Sequence, residues 1–340
     1  MNRPTVSVIL PTYNRAALLP RAIDSILNQT VTDWEIVFVD DGSTDHTRTL
    51  AARYGEQLGE RFVYLSQPNQ GGSAARNRGI ERCGGRFVAF LDSDDEFAPA
   101  KLERQLVLFE RCPELGLVYS DFSFVDLEGV HHASAFDAKF PLARQVRSRE
   151  VGPGLCVCEG SLFDTLIQGY FIATIVGLVR REVLGSSIRF DEDQAYSEEW
   201  LFYLHVAKCC AAGFVDEPLS IHHFVSASLA RSDKQRNSLR YRILLSKIRE
   251  SFPGLTSEQG REIDRQLAQT CRQLGYNAEA AGRYNEARSF FGESWRYEPG
   301  IISLRDAARA WVHSVISPKR ESPDETDGET TTTGAGIERP

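Results

Sequence analysis

The first 125 residues alternate between short apolar runs and longer stretches with helical spacing. The runs are 6–10 (VSVIL), 34–40 (WEIVFVD), 61–65 (RFVYL), 86–92 (RFVAFLD) and 115–125 (LGLVYSDFSFV). Each is rich in β-branched or aromatic residues and ends in turn-forming or charged ones, the profile of a buried strand. Leu18, Leu19, Ala22, Ile23, Ile26 and Leu27 recur at helical spacing, with Asn14 as the expected cap. Further helices are predicted from Ser43 or Thr44 to about Gly59 after a turn at Gly42, over 73–82, and over 99–111 with Pro99 in the first turn. Such alternation predicts an α/β fold whose mostly parallel central sheet has helices on both faces, because parallel strands need crossover connections. Ligands of such sheets bind at the carboxyl ends of the strands. The clusters PTYN, DDGSTD and DSDD stand directly after strands, which makes them the first places to look for chemistry.

Regularity fades over 126–161, which holds His131, His132, Pro141, Gly152 and Pro153 and reads as a surface excursion. It returns with YFIATIVGLVRREVL (170–184), the turn-like RFDED, a helix over about 197–212 and a strand over 214–223. Beyond Ser232 the chain turns to helices rich in Arg, Gln, Leu and Ala. Within them, 274–299 places Gly, Tyr, Ala, Phe and Pro much as one tetratricopeptide helix pair does. A lone repeat must bury its apolar face on a neighbour, so this pair is expected to dock on the main domain or on a protein partner. The polar stretch from Pro318 onward reads as disordered. The expected organisation is 1–231 as the main domain, divided into a nucleotide-binding half (1–125) and an acceptor half (126–231). A helical region (232–316) and a tail (317–340) complete it.

Bulk composition narrows the class. With 340 residues and 42% hydrophobic content the chain can bury a sizeable core, and a formal charge of −8 argues against nucleic-acid partners. Seven irregularly spaced cysteines form neither a disulfide framework nor a paired zinc motif and suit a reducing cytosol. The expectation is a cytoplasmic protein, with peripheral association at the inner membrane face left open, because no apolar run is long enough to span a bilayer.

Asp92, Asp94 and Asp95 crowd three carboxylates into four positions after an apolar strand. Asp95, nearest the following helix, suits a helix cap. For Asp92 and Asp94 the repulsion calls for a cation or strong donors, and a divalent hard cation carrying a diphosphate meets that need. At Asp40 and Asp41 one acid can fill a turn, which leaves the other free for ribose hydroxyls or a base N–H.

Taken together, SVILPTYNR, EIVFVDDGSTD, NQGGSAARNRGI, RFVAFLDSDDEF and RFDEDQAYSEEWLFYLHVA resemble an inverting family-2 glycosyltransferase of the GT-A fold. The resemblance covers about 220 residues in the family's order and implies sugar transfer from a nucleotide-sugar, by expectation UDP-linked, to an acceptor hydroxyl. The acceptor would be a sugar, a lipid-linked sugar or a protein, in the synthesis of a cell-surface polysaccharide or glycoconjugate. It further implies that Pro11, Thr12, Tyr13, Asp41, Arg76, Asp92 and Ser93 bind the nucleotide-sugar. Asp94, as the last acid of the DxD pattern, would hold Mn²⁺ or Mg²⁺, and Phe171, Thr174 and Trp200 would meet the acceptor.

An inverting transfer needs a base to take the acceptor's proton. The family's usual Glu-Asp-Trp is here Glu198-Glu199-Trp200, so Glu199 is expected as base with Glu198 as the alternative. A second departure follows EPL. His222 and His223 stand where the family has Tyr and Arg, Val225 stands where it has His, and His223 is the expected ligand from a shifted register. These two departures motivate the rival reading, an inactive scaffold on the same fold. A nucleotidyltransferase or a dinucleotide enzyme would need a glycine-rich loop after the first strand, where this chain has PTYNR.

Overall fold

A computed structural model describes residues 3–194, 196–224 and 234–316. The tail 317–340 and Val225 lie outside the described residues.

The strands are β1 (Val6–Thr12), β2 (Trp34–Asp40), β3 (Phe62–Ser66), β4 (Phe87–Phe90), β5 (Glu96–Phe97) and β6 (Leu115–Val125). They continue with β7 (His131–His132), β8 (Ser148–Gly152), β9 (Leu155–Cys158), β10 (Leu178–Arg180) and β11 (Ala211–His223). All join one sheet of order β3-β2-β1-β4-β10-β6-β11-β9-β8, with β5 pairing β11 and β7 pairing β6. Pairs β3-β2, β2-β1, β1-β4 and β6-β11 are parallel, while β10 runs antiparallel between β4 and β6. From β1 the chain builds outward to β3 and then returns to place β4 on the other side, which opens a crevice at the carboxyl ends.

The helices before the second half of the sheet are α1 (Leu19–Leu27), α2 (Thr47–Leu58), α3 (Gly72–Arg82) and α4 (Lys101–Arg111). Every residue of β1 is buried, as expected of a strand covered on both faces. At Gly79 of α3 a Cβ would stand 2.4 Å from Ile9, so this helix lies closer to β1 than any side chain permits. The short helices α5 (Ala135–Ala138), α6 (Leu162–Leu166) and α7 (Arg181–Leu184) precede α8 (Glu198–Cys209).

The segment 126–161 is more than a surface excursion. It supplies β7, β8 and β9, and Ala135, Phe136, Ala143 and Leu155 enter the core. Its strands are too short and too polar to show an apolar period. Asn14 does not cap α1: its side chain accepts from the backbone N–H of Thr44 (2.7 Å), joining the loops after β1 and β2. Neither Ser43 nor Thr44 caps α2, which begins at Thr47, whose N–H is met by Asp45 (2.9 Å).

The remaining helices are α9 (Lys234–Ser251), α10 (Ser257–Ala280), α11 (Tyr284–Tyr297) and α12 (Ile301–Ile316). Leu244, Leu245, Ile248, Ile263 and Leu267 from α9 and α10 belong to the main core. Their packing sets Tyr241 parallel to Trp200 at 5.8 Å, so α9 supports α8. The first helix of the repeat-like pair is the end of the 24-residue α10, and α11 packs on it through Ala278, Ala287 and Phe291. No described helix is long and apolar enough to cross a membrane.

Candidate active site

The carboxyl ends of β1 and β2 bring Thr12, Tyr13, Asp40 and Asp41 together. Pro11 and Thr12 are buried, whereas Tyr13 is 45% exposed and leaves a ring face open. The Thr12 hydroxyl is buried without a hydrogen-bond partner. Both acids after β2 have protein partners. Asp40 accepts from Ser43 N–H (2.8 Å) and the Tyr64 hydroxyl (2.9 Å). Asp41 accepts from the Gln67 amide (2.7 Å) and from the N–H groups of Gln70 (2.9 Å) and Gly71 (2.8 Å). The expectation of one free acid here is therefore corrected: Asp41 organises the loop that leads into α3.

After β4 the three aspartates separate by environment. Asp92 takes the Arg76 guanidinium at 2.7 Å. Asp95 is no helix cap: it is buried and accepts from His222 Nδ1 (3.0 Å) and His223 N–H (2.9 Å), so it anchors the end of β11. Burial raises its carboxyl to about 6 despite the opposing hydrogen bond from His222. Asp94, by contrast, has no hydrogen bond to its carboxylate from any other described residue. Burial and the nearby Asp92 charge raise its pKa, with Arg15 and His222 opposing. Ser93 between them is buried.

His223 turns its Nε2 to Glu96 at 2.6 Å, so its ring already has a carboxylate partner. His222 is the histidine that feels the cluster. Burial alone would lower its pKa, but Asp95, Asp92 and Asp94 together raise it. The expected ligand His223 thus faces Glu96, and its neighbour His222 faces Asp95.

The third wall is made by α3 and α8. Arg76, almost fully buried, reaches Asp92 and also Glu198 at 2.9 Å, while its guanidinium lies over Phe190. Asn77 holds the same segment by exchanging hydrogen bonds with the Phe190 backbone (2.8 and 2.9 Å). Glu199 receives no guanidinium. The Tyr170 hydroxyl donates to it at 2.8 Å, and its carboxyl is pushed up to about 7, by burial first and the Glu198 charge second. Ser197, immediately before α8, has φ +50°, an unfavourable backbone for a non-glycine residue, of the kind that clusters at functional sites.

The expected acceptor contacts lie elsewhere. Trp200 is core: it is 1% exposed and its indole N–H donates to the Leu166 carbonyl at 2.8 Å. Phe171 is fully buried beside Tyr119, and Thr174 is buried with its carbonyl taken by Tyr203 (3.1 Å). All three side chains are buried, so the expected contact surface is not exposed at these positions. Tyr170, one position before Phe171, is the residue of this stretch that reaches the site. It reads as one more aromatic in an apolar run, so no sequence signal distinguished it.

Residues 7–164 match the family model described as glycosyl transferase family 2. A Bacillus subtilis (strain 168) protein, named as the teichuronic acid biosynthesis glycosyltransferase TuaG, is 47% identical over 235 residues, which span 67% of this chain and 82% of that one. The chain belongs to glycosyl transferase family 2. Among solved structures, Staphylococcus aureus TarS 1–349 in complex with UDP-GlcNAc superposes with a TM-score of 0.65 at 18% identity, covering 92% of this chain and 88% of that one. A Pyrobaculum calidifontis mannosyltransferase with GDP-Man and Mn²⁺ gives 0.55 at 15% identity, over 93% and 81%. These likenesses establish the GT-A architecture of this glycosyltransferase.

Within this family-2 enzyme the residues after β4 fit a divalent cation. Asp94 offers an unpartnered carboxylate in an acidic neighbourhood, and Asp92 adds oxygen donors beside it. Among the described residues no group of three or more His, Cys, Asp or Glu side chains is arranged to hold a metal ion by itself. One or two carboxylates with the rest left to phosphate and water is the donor set Mg²⁺ and Mn²⁺ commonly take.

Proposed function

We propose that this transferase moves a sugar from a UDP-linked donor to an acceptor hydroxyl by a single inverting displacement, with Glu199 as the base. The division within the Glu198–Glu199 pair carries the reading. Arg76 pairs with Glu198 at 2.9 Å, whereas burial and the neighbouring Glu198 charge, opposed by the Tyr170 hydrogen bond, push Glu199 up to about 7. A base is most effective when its pKa lies near the working pH.

The acceptor hydroxyl gives its proton to Glu199 as its oxygen bonds to the anomeric carbon from one face. The bond from that carbon to the diphosphate oxygen breaks on the other, and UDP leaves with the electron pair. Tyr13, half exposed beside the ends of β1 and β2, would stack on the base. Arg15 and Arg21 lie beside the β4 aspartates, Arg21 on the Asp94 carbonyl, and are suited to the diphosphate. Mn²⁺ or Mg²⁺ held by Asp94, with Asp92 beside it, would supply Lewis-acid stabilisation of the departing diphosphate.

A UDP donor and a cell-surface glycan or glycoconjugate product draw support from the UDP-GlcNAc in the TarS structure and from the name of the B. subtilis relative. The acceptor is a sugar, a lipid-linked sugar or a protein hydroxyl. Residues 1–231 form the catalytic unit in this reading, and 232–316 brace α8 from behind. The test compares E199Q with E198Q across UDP-, dTDP- and GDP-sugars with Mn²⁺. Transfer or donor hydrolysis should vanish in E199Q while donor-induced thermal stabilisation persists. Full turnover in E199Q would remove Glu199 from the mechanism.

A further inference from the structure

The opposite end of the central strands carries a second charged concavity. A cleft of about 860 Å³ is lined by Arg3, Arg86, Arg180, Arg181 and Arg189, with Glu81 and Glu182 as its acids. It opens where β1 and β4 begin: Arg86 directly precedes β4, and Arg180 is paired in register with Phe87. The donor clusters follow the far ends of the same strands. Six residue steps along β1 at about 3.3 Å each set the two sites roughly 20 Å apart.

Arg180 is buried, with its guanidinium on the carbonyls of Leu115 (3.1 Å) and Pro113 (3.0 Å) and with Glu182 at 3.5 Å. The other four have no carboxylate partner among the described residues. Arg181 spends its Nε on the Gly85 carbonyl (2.7 Å), and Arg189 bonds the carbonyls of Gly185 (3.2 Å) and Ile188 (2.8 Å). Arg3 and Arg86 are exposed. Cys83, in the same lining, is buried, which raises its thiol to about 11; Arg181 and Arg189 act against that rise and Glu35 adds to it. Like charges gathered in a concavity repel unless an anion joins them, and concave low-dielectric walls focus the positive field outward. The concentration is local, because the whole chain carries −8.

We propose that this arginine cleft is a second ligand site that binds a phosphate-bearing group, independently of the donor site. Guanidinium forks bond two phosphate oxygens at once, and four of them with unspent N–H donors suit a phosphate monoester or diphosphate better than a single carboxylate. The side chains of Ile80, Leu184 and Pro4 in the same lining would flank the uncharged part of the ligand. A soluble phosphate ester and a phospholipid headgroup share this chemistry.

The test uses the full chain in metal-free buffer, titrated with inorganic pyrophosphate by calorimetry and, separately, sedimented with phosphatidylglycerol or phosphatidylcholine vesicles. The variant is R3Q/R86Q, because both side chains are exposed and neither belongs to the catalytic machinery; its thermal unfolding is recorded as a check on the fold. R15Q/R21Q serves as the control for binding at the donor site. Pyrophosphate binding weakened at least tenfold in R3Q/R86Q but unchanged in R15Q/R21Q supports the site with a soluble ligand. Sedimentation with phosphatidylglycerol alone, lost in R3Q/R86Q, supports it with a lipid headgroup. Binding of neither probe, or binding that R3Q/R86Q leaves intact, overturns the proposal. A misfolded R3Q/R86Q is replaced by R86Q alone, read against the same outcomes.

Discussion

The segment after β4 and the first turn of α8 each crowd acids together, and each resolves the crowding by dividing them. After β4, Asp92 takes Arg76 and Asp95 takes His222, which leaves the Asp94 carboxylate with no side-chain partner among the described residues. At α8, Glu198 takes the other side of Arg76, which leaves Glu199. One arginine thus serves both clusters. The residual acids differ in what surrounds them. Among the described residues no other residue donates to the Asp94 carboxylate, the state in which a hard cation is a good partner. Glu199 is desolvated and holds a single hydroxyl donor from Tyr170, the state in which a proton is. In the proposed mechanism this contrast separates a metal ligand from a base within one charge network.

The comparison breaks most visibly at Glu199. E199Q is expected to lose about 10³-fold in turnover, and E198Q far less, in steady-state assays of UDP release. Arg76 comes next, because removing it strands two half-buried carboxylates. R76M should lower unfolding free energy by about 3 kcal/mol in urea titration, and R76K should recover only part, since an ammonium cannot span both partners. A smaller effect is expected at Asp94. D94N should cost roughly 10²-fold in metal-stimulated turnover, visible as a lost response to added Mn²⁺ at unchanged fold stability.

The finest distinction concerns Tyr170, whose hydroxyl lowers the Glu199 pKa against the larger effect of burial. Y170F should therefore move the activity profile to higher pH, by about one unit or less. Stability carries the same signature with a defined sign. Glu199 rises from 4.5 to about 7 on folding, so the native state binds its proton more tightly than the unfolded chain. Its contribution is full below 4.5 and is lost as pH climbs through about 7, a slope that E199Q should remove from thermal unfolding curves.

The five runs read as strands in the first 125 residues lie within or overlap strands of the sheet, because a strand buried on both faces is nearly all apolar and is closed by punctuating residues. The acids that follow β4 were legible for the same reason, whereas the Glu pair opens α8 and was singled out only by the family resemblance. What the sequence could not reveal was partnership across long separations. Arg76 and Glu198 stand 122 residues apart, and Tyr170 and Glu199 stand 29 apart. Asp41 looked free only while the loop 67–71 could not be seen folding back on it. Phe171 and Trp200 have the composition of a sugar-binding platform and the burial of a core, and only packing separates the two. The segment 126–161 escaped because two-to-five-residue strands leave no period to detect.

The central claim is that Glu199, and not its neighbour, takes the acceptor's proton. It is tested most directly by the pH dependence of kcat for UDP release, measured on the wild type, E198Q and E199Q at saturating donor and Mn²⁺. The account predicts a rise governed by one ionisation near 7 in the wild type, the same limb displaced to lower pH in E198Q where the neighbouring charge is gone, and no such limb in E199Q. A profile in which E199Q keeps the limb and E198Q loses it would contradict the account and move the base to Glu198.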